Sequence, residues 1–151
     1  MKLSEALAQR ADTQKRMQQV LERAKSSAKY QEGTKPAEDS NDLIAEYERL
    51  AKELELLIQR INRTNSATPL GKGTITDAIA TRDVLMLRAE AARQLADAAL
   101  TTDPRYGRSE ILLLTQVNVA GMRKVADQLM KQHRELDQAI QGANWSTDLL
   151  D

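Results

Sequence analysis

The chain has 151 residues, with 22 basic and 22 acidic side chains, one histidine, no cysteine and no phenylalanine. One domain is expected at that length. The lack of cysteine excludes disulfides and thiolate metal sites, the lone histidine excludes sets of imidazole ligands, and zero formal charge argues against a dedicated nucleic-acid binder.

Aromatics make up only 3% of the chain, whereas leucine (20) and alanine (21) are abundant, the aliphatic mixture of helices that pack by ridges. Glu5, Arg10, Asp12, Lys15 and Arg16 break any apolar run after Lys2, so no secretory signal is expected and the cytoplasm is the default location. The longest strongly apolar uncharged stretch, Ile111 to Met122, has 12 residues, short of the roughly 20 that a spanning helix needs. No membrane partner is expected.

Residues 3–29 read as one long helix, because Leu3, Leu7, Arg10, Gln14, Met17, Leu21, Ala24 and Ala28 alternate four- and three-residue steps. That seam is polar in the middle, at Arg10 and Gln14. Gly33 and Pro36 mark a break, and Asp39 with Asp42 offers an N-cap and a first-turn carboxylate. The second helix, about 40–62, has the clearest pattern: Leu43, Tyr47, Leu50, Leu54, Leu57 and Ile61 repeat the same steps. Residues 1–29 hold seven basic and three acidic side chains, and residues 30–63 hold five and eight. An antiparallel helical hairpin would bring the two signs together, although a solvated outer face accounts for the same biases.

From Asn62 to Gly73 no helical period is visible, and the residues are of the kind that hydrogen-bond the backbone, so a loop is expected. Gly71-Lys72-Gly73 can turn a short hairpin between strands 68–70 and 74–75. Thr74 or Thr76 then caps a third helix, 75–100, and Thr74 with Asp77 has capping-box spacing. Ile75, Ile79, Arg82, Met86, Ala89 and Arg93 lie near one stripe of it, with Leu85, Ala92, Leu95, Ala96 and Ala99 on an adjacent one. Thr101 to Arg108 read as a turn. Residues 110–117 read as a strand or a buried extended segment, which must pair with the 68–75 hairpin or a second copy, or else continue the next helix. Asn118 is the expected N-cap of a last helix, 119–141, on which Met122, Ala126, Leu129, His133, Leu136 and Ile140 form a seam. Gly142 should stop it, leaving a tail whose Trp145 docks on the bundle. Tyr47, Tyr106 and Trp145 are the expected bulky anchors. The resulting fold class is mainly α: a single four-helix domain over residues 1–151, with a long antiparallel N-terminal hairpin and a small β element.

Little catalytic chemistry is visible. Lys72-Gly73-Thr74 lacks the earlier glycine and the preceding strand of a phosphate loop, and His133 lies on an apolar seam with no serine or carboxylate at a diagnostic spacing. No cofactor or metal site is expected within the single chain, although one assembled between subunits stays open. The best polar clusters are Asn62, Arg63 and Asn65, with Thr64, and Arg105, Tyr106 and Arg108, with Glu110. The arginines could grip an anion, terminate a helix or bridge subunits.

Several stretches are together similar to a family of small bacterial proteins labelled septicolysin-like. They are Met1-Lys2-Leu3-Ser4-Glu5-Ala6-Leu7, Gln31-Glu32-Gly33 with Pro36-Ala37-Glu38-Asp39, and Ile61-Asn62-Arg63-Thr64-Asn65. The others are Thr76-Asp77-Ala78 with Arg82-Asp83, Tyr106-Gly107-Arg108-Ser109-Glu110-Ile111, and Arg134-Glu135-Leu136-Asp137 leading to Asn144-Trp145. The resemblance covers essentially the whole chain, and none of its motifs is a catalytic signature. His133 stands where that resemblance implies an aromatic.

The leading expectation is a non-enzymatic cytoplasmic protein that self-assembles as a homo-oligomer through its heptad faces and the 110–119 segment. A pore-forming, haemolysin-like activity is what the label implies, and Ile111 to Met122 has the length of one spanning β-strand. A nucleic-acid-associated coiled coil is a third reading, since a basic helical hairpin is similar to the arm of seryl-tRNA synthetases, though the acidic second helix would cancel much of its field. An enzyme with a site at a subunit junction lined by Arg63, Arg105 and Arg108 is the fourth.

Overall fold

The computed structural model describes residues 1–100 and 113–151. Their elements are α1 (Leu3–Ser27), α2 (Ser40–Ala67), β1 (Pro69–Leu70), β2 (Gly73–Thr74), α3 (Ile75–Leu100) and α4 (Val119–Ser146). The mainly helical class with a small β element is thus what the sequence predicts. The chain divides into two compact units, Met1–Pro69 with Gly142–Asp151, and Leu70–Gln141.

In the first unit α1 and α2 pack as an antiparallel hairpin. Asp39 caps α2, its carboxylate accepting from the Asn41 N–H at 2.8 Å. Leu43, Leu50, Leu57 and Ile61 are buried in register with their spacing, and Leu43 and Leu50 cluster with Val20 and Ala24, with Met17 and Tyr47 packed alongside. The α1 seam matches the predicted one at Leu3 and Ala24 and departs from it between them. The buried residues are Leu3, Ala6, Thr13, Val20 and Ala24; Leu7 and Leu21 are only half-buried and Gln14 is exposed. Each helical position turns the side chain by about 100°, so a shift of one residue moves the stripe to the face that α2 covers. Thr13, 2% exposed, fills the place assigned to Gln14. Gln9 donates to Glu53 across the hairpin at 3.2 Å, and Arg23 grips Glu38 through its Nε at 3.0 Å and its Nη2. That pair raises the Arg23 pKa and lowers that of Glu38.

Two helix ends run past their expected limits. α2 continues from residue 62 to Ala67, and Thr64 and Thr68 donate their hydroxyl hydrogens to the carbonyls four residues back, of Arg60 and Thr64, each at 2.8 Å, so that these side chains are satisfied within the helix instead of in a turn. The residues read as loop formers stay helical while Thr64 is fully buried. α4 passes through Gly142 to Ser146, whose hydroxyl donates to the Gly142 carbonyl at 3.0 Å. Burial of Ile140 and Asn144 on either side outweighs the roughly 1 kcal/mol cost of a helical glycine. The tail then pairs with the start of the chain: Leu3 N–H donates to Thr147 O and Leu149 N–H to Met1 O, each at 2.9 Å, with an antiparallel bridge between Lys2 and Asp148. Trp145 is 70% exposed, so it is not the docked anchor expected, whereas Tyr47 is half-buried.

β1 and β2 pair antiparallel around Gly71-Lys72. Gly71 has φ +63°, the left-handed conformation that such a two-residue turn demands. Thr74 is the N-cap of α3: its N–H and hydroxyl both donate to Asp77 Oδ2 at 2.8 Å, and Asp77 N–H donates back to Thr74 Oγ1 at 3.3 Å. Gly73 lets that carboxylate approach, since a Cβ there would meet Asp77 Oδ2 at 2.6 Å. The two donors from Thr74 hold the Asp77 carboxyl below its ordinary pKa, the backbone N–H contributing most. The cap is consequently present above the ordinary aspartate pKa and is lost as pH falls through the lowered value. We expect the Thr74 amide resonance to report this opening below the usual aspartate range, and Asp77→Asn to abolish the titration. Thr74→Ala should cost about 1 kcal/mol in chemical denaturation.

α3 buries Ile75, Ala78, Leu85, Ala89, Ala92 and Ala96, a stripe that takes residues from both of the predicted ones. Leu85 and Ala89 cluster with Leu129 of α4, with Met130 and Leu136 alongside. The α4 seam is as predicted, with Ala126, Leu129 and Ile140 buried and Met122, His133 and Leu136 half-buried. Asn118 caps this helix, its Oδ1 accepting from Gly121 N–H at 2.9 Å. Of the segment 110–117 expected to be extended, residues 113–117 form no strand, and 110–112 lie outside the described residues.

Candidate functional site

Of the six candidate site residues, Arg105, Tyr106 and Arg108 lie outside the described residues. Asn62, Arg63 and Asn65 are on α2, where Asn62 and Asn65, three apart, share a side that Arg63 does not join. Successive helical positions differ by about 100°, which sends Arg63 and Asn65 to nearly opposite sides. Asn62 and Arg63 are exposed; Asn65 is half-buried, with its Oδ1 enclosed and without a hydrogen-bond partner.

The polar residues that act are their neighbours, Arg60 and Thr64. Thr64 Oγ1 accepts from the Leu150 N–H at 3.0 Å while donating to Arg60 O. Arg60 donates from Nε to Leu150 O at 3.0 Å and from Nη2 to Asp151 Oδ1 at 2.8 Å. Together they clamp the tail onto α2. At the other side of the tail Lys2 Nζ donates to Ser146 O at 3.0 Å and pairs with Asp148 at 2.9 Å, which lowers the Asp148 pKa. The spacing held a usable signal: Thr64 lies three residues after buried Ile61 and seven after Leu57, in line with the seam. Its residue type concealed it.

A second polar group joins α3 to α4. Arg82 donates from Nε and Nη2 to Asp83 Oδ1 at 3.0 and 2.9 Å, and from Nη1 to Asp137 Oδ1 at 3.1 Å. The Asp83 and Asp137 carboxylates, Asp83 foremost, raise the guanidinium pKa. Arg82-Asp83 and the Asp137 of Arg134-Glu135-Leu136-Asp137, two of the stretches behind the family resemblance, thus meet in a structural ion network. His133 is half-buried on the α4 seam.

A cleft of about 430 Å³ beside the hairpin is lined by Leu70, Lys72, Gly73, Asp77, Thr81 and Leu136, among others. Its carboxylate is engaged in capping α3. Among the described residues no three His, Cys, Asp or Glu side chains come together as a metal site requires, and no helix is long and apolar enough to cross a membrane.

The least ordinary surface is on α3. Besides its buried stripe, the helix has a second apolar one: Ala80, Val84, Leu87, Ala91, Leu95 and Ala98, all of them exposed. Their steps of three and four residues set them on one line, roughly opposite the buried stripe. Val84 is 52% exposed, Leu87 69% and Leu95 47%. Beside Val84 a groove of about 310 Å³ is lined by Ala80, Thr81, Val84, Leu85 and Arg88. Leu113 and Leu114, 67% and 88% exposed, add apolar surface within the 110–119 segment.

Comparison with known proteins adds fold and family. A solved structure, described as the crystal structure of a functionally unknown conserved protein from Corynebacterium diphtheriae, is 39% identical and superimposes with a TM-score of 0.92 over 99% of each chain. No curated protein matches. Residues 10–149 match a family of unknown function, DUF6847. With that match spanning most of its length, the chain belongs to the DUF6847 family of unknown function.

Proposed function

We propose that this is a non-enzymatic helical protein whose working form is a self-assembled homo-oligomer. The observation that carries this reading is the second stripe of α3. A surface helix of a lone domain needs one apolar face; this one has two, and the outer one leaves large aliphatic side chains in water. The polar clusters support the same reading from the other direction, because Arg60, Thr64, Arg82, Asp83 and Asp137 spend their hydrogen bonds within the chain rather than on an open pocket.

Sedimentation velocity across about 1 to 100 μM tests it. The protein is expected to sediment as a dimer or larger species at the upper end. Leu87→Glu, which places a charge in the middle of the stripe, should weaken association at least about thirty-fold while leaving the helical circular dichroism unchanged. A wild-type protein that remains monomeric throughout that range would overturn the reading.

A further inference from the structure

Resting on that reading, we infer that the occupant of the outer α3 face is the α3 helix of a second copy, running parallel and in register, with Asp83 of each copy paired to Arg88 of the other.

The heptad frame of the outer stripe is legible residue by residue. Val84, Ala91 and Ala98 recur at intervals of seven, and Ala80 and Leu87 form the interleaved series, whose next member is Gln94. Leu95 lies beside the seam. This is the alternation that lets one helix fit its knobs into the holes of another. Small side chains at Ala80, Ala91 and Ala98 allow close approach, while Val84 and Leu87 supply the bulk. From residue 80 to residue 98 the stripe is about 27 Å long at 1.5 Å per residue. So short a seam belongs with weak, reversible association, with Kd on the order of micromolar.

Charge decides the direction. One edge of the stripe carries Asp83, Glu90 and Asp97 at seven-residue intervals, and the other carries Arg88 between Thr81 and Leu95. In an antiparallel two-fold pair each edge meets its own copy, so the acidic row would face an acidic row and Arg88 would face Arg88. In a parallel pair each edge meets the opposite edge five positions further along, and five positions beyond Asp83 is Arg88. Two symmetric ion pairs result where the other arrangement gives only repulsion. Asp83 can take part: its side chain is 60% exposed, and both Arg82 bonds end on Oδ1. The groove bordered by Val84 and Arg88 lies on the edge that would receive the partner's Asp83. A two-fold axis along α3 closes the assembly at two copies.

Because the chain has no cysteine, single-cysteine variants read the register directly. Ala80→Cys and Ala98→Cys change positions at the two ends of the stripe. The parallel pair brings each position within disulfide reach of its own counterpart. Each variant alone is therefore expected to form a disulfide-linked dimer on mild oxidation, and a mixture of the two should give no mixed disulfide. Only mixed disulfides would overturn the parallel register and leave self-assembly standing. Absence of any cross-link in a protein that sediments as a dimer would remove α3 as the seam. A monomeric wild type would remove the proposed function and this inference together. As a check on the charge argument, Asp83→Lys should weaken association about ten-fold, and adding Arg88→Glu should restore it. No restoration would overturn the pairing.

Discussion

Leu50→Ala is expected to destabilise the protein by about 2–5 kcal/mol, because a buried leucine lost from a packed hairpin leaves a cavity that its neighbours close only in part. Leu50 is 5% exposed and is enclosed by Val20, Ala24 and Leu43, with Met17 and Tyr47 at the edge. Whole domains have about 5–15 kcal/mol to lose, so this one change should take a large share. The matching control is Leu56→Ala on the same helix. Leu56 is 61% exposed, and its removal should stay within about 0.5 kcal/mol. Urea unfolding followed by circular dichroism measures both. Equal effects of the two substitutions would contradict the hairpin packing described above.

Thr64→Val should cost about 1–3 kcal/mol and release the tail. Valine keeps the shape of threonine in a fully buried position but removes the oxygen that accepts the Leu150 N–H and the hydrogen that reaches Arg60 O. The cost arises from the unmet partners rather than from lost volume. Amide exchange at Leu150 is the direct readout: it should accelerate in Thr64→Val and remain slow in Thr64→Ser, which keeps the hydroxyl. Unchanged protection in the valine variant would mean that Arg60 and the Leu3 to Thr147 pairing hold the tail without Thr64.

Much of the fold is legible in the order of the amino acids. Leu43, Leu50, Leu57 and Ile61 announce α2, the caps Asp39, Thr74 and Asn118 stand where their side chains reach a first-turn N–H, and Gly71-Lys72 marks a hairpin turn. Three features are less visible for related reasons. Thr13 and Thr64 are core residues of a polar type, so a pattern read from apolar residues puts the middle of the α1 seam one position off and ends α2 early. Gly142 carries a local stop signal that burial of Ile140 and Asn144 overrides. Trp145 has an anchor's size without an anchor's burial.

The candidate site is less legible still. Asn62, Arg63 and Asn65 stand out as a run of polar side chains, but on a helix only Asn62 and Asn65, three apart, keep to one side, while Arg63 turns away from Asn65. Arg60 and Thr64, four apart, are the pair that acts, and their partners Leu150 and Asp151 lie about ninety positions away in the chain. Arg82 and Asp137 are likewise joined only by folding.

Sequence alone determined the elements of this protein: helices that follow the three- and four-residue spacing of leucine and alanine, with starts set by side chains that bond neighbouring amides. Both depend on interactions within a few residues, so they survive without knowledge of the partner. Which face each helix buries was decided only by the tertiary structure, because it depends on what lies against that helix. On α3 that decision matters most, since two apolar stripes are written into one helix and folding covers only one of them.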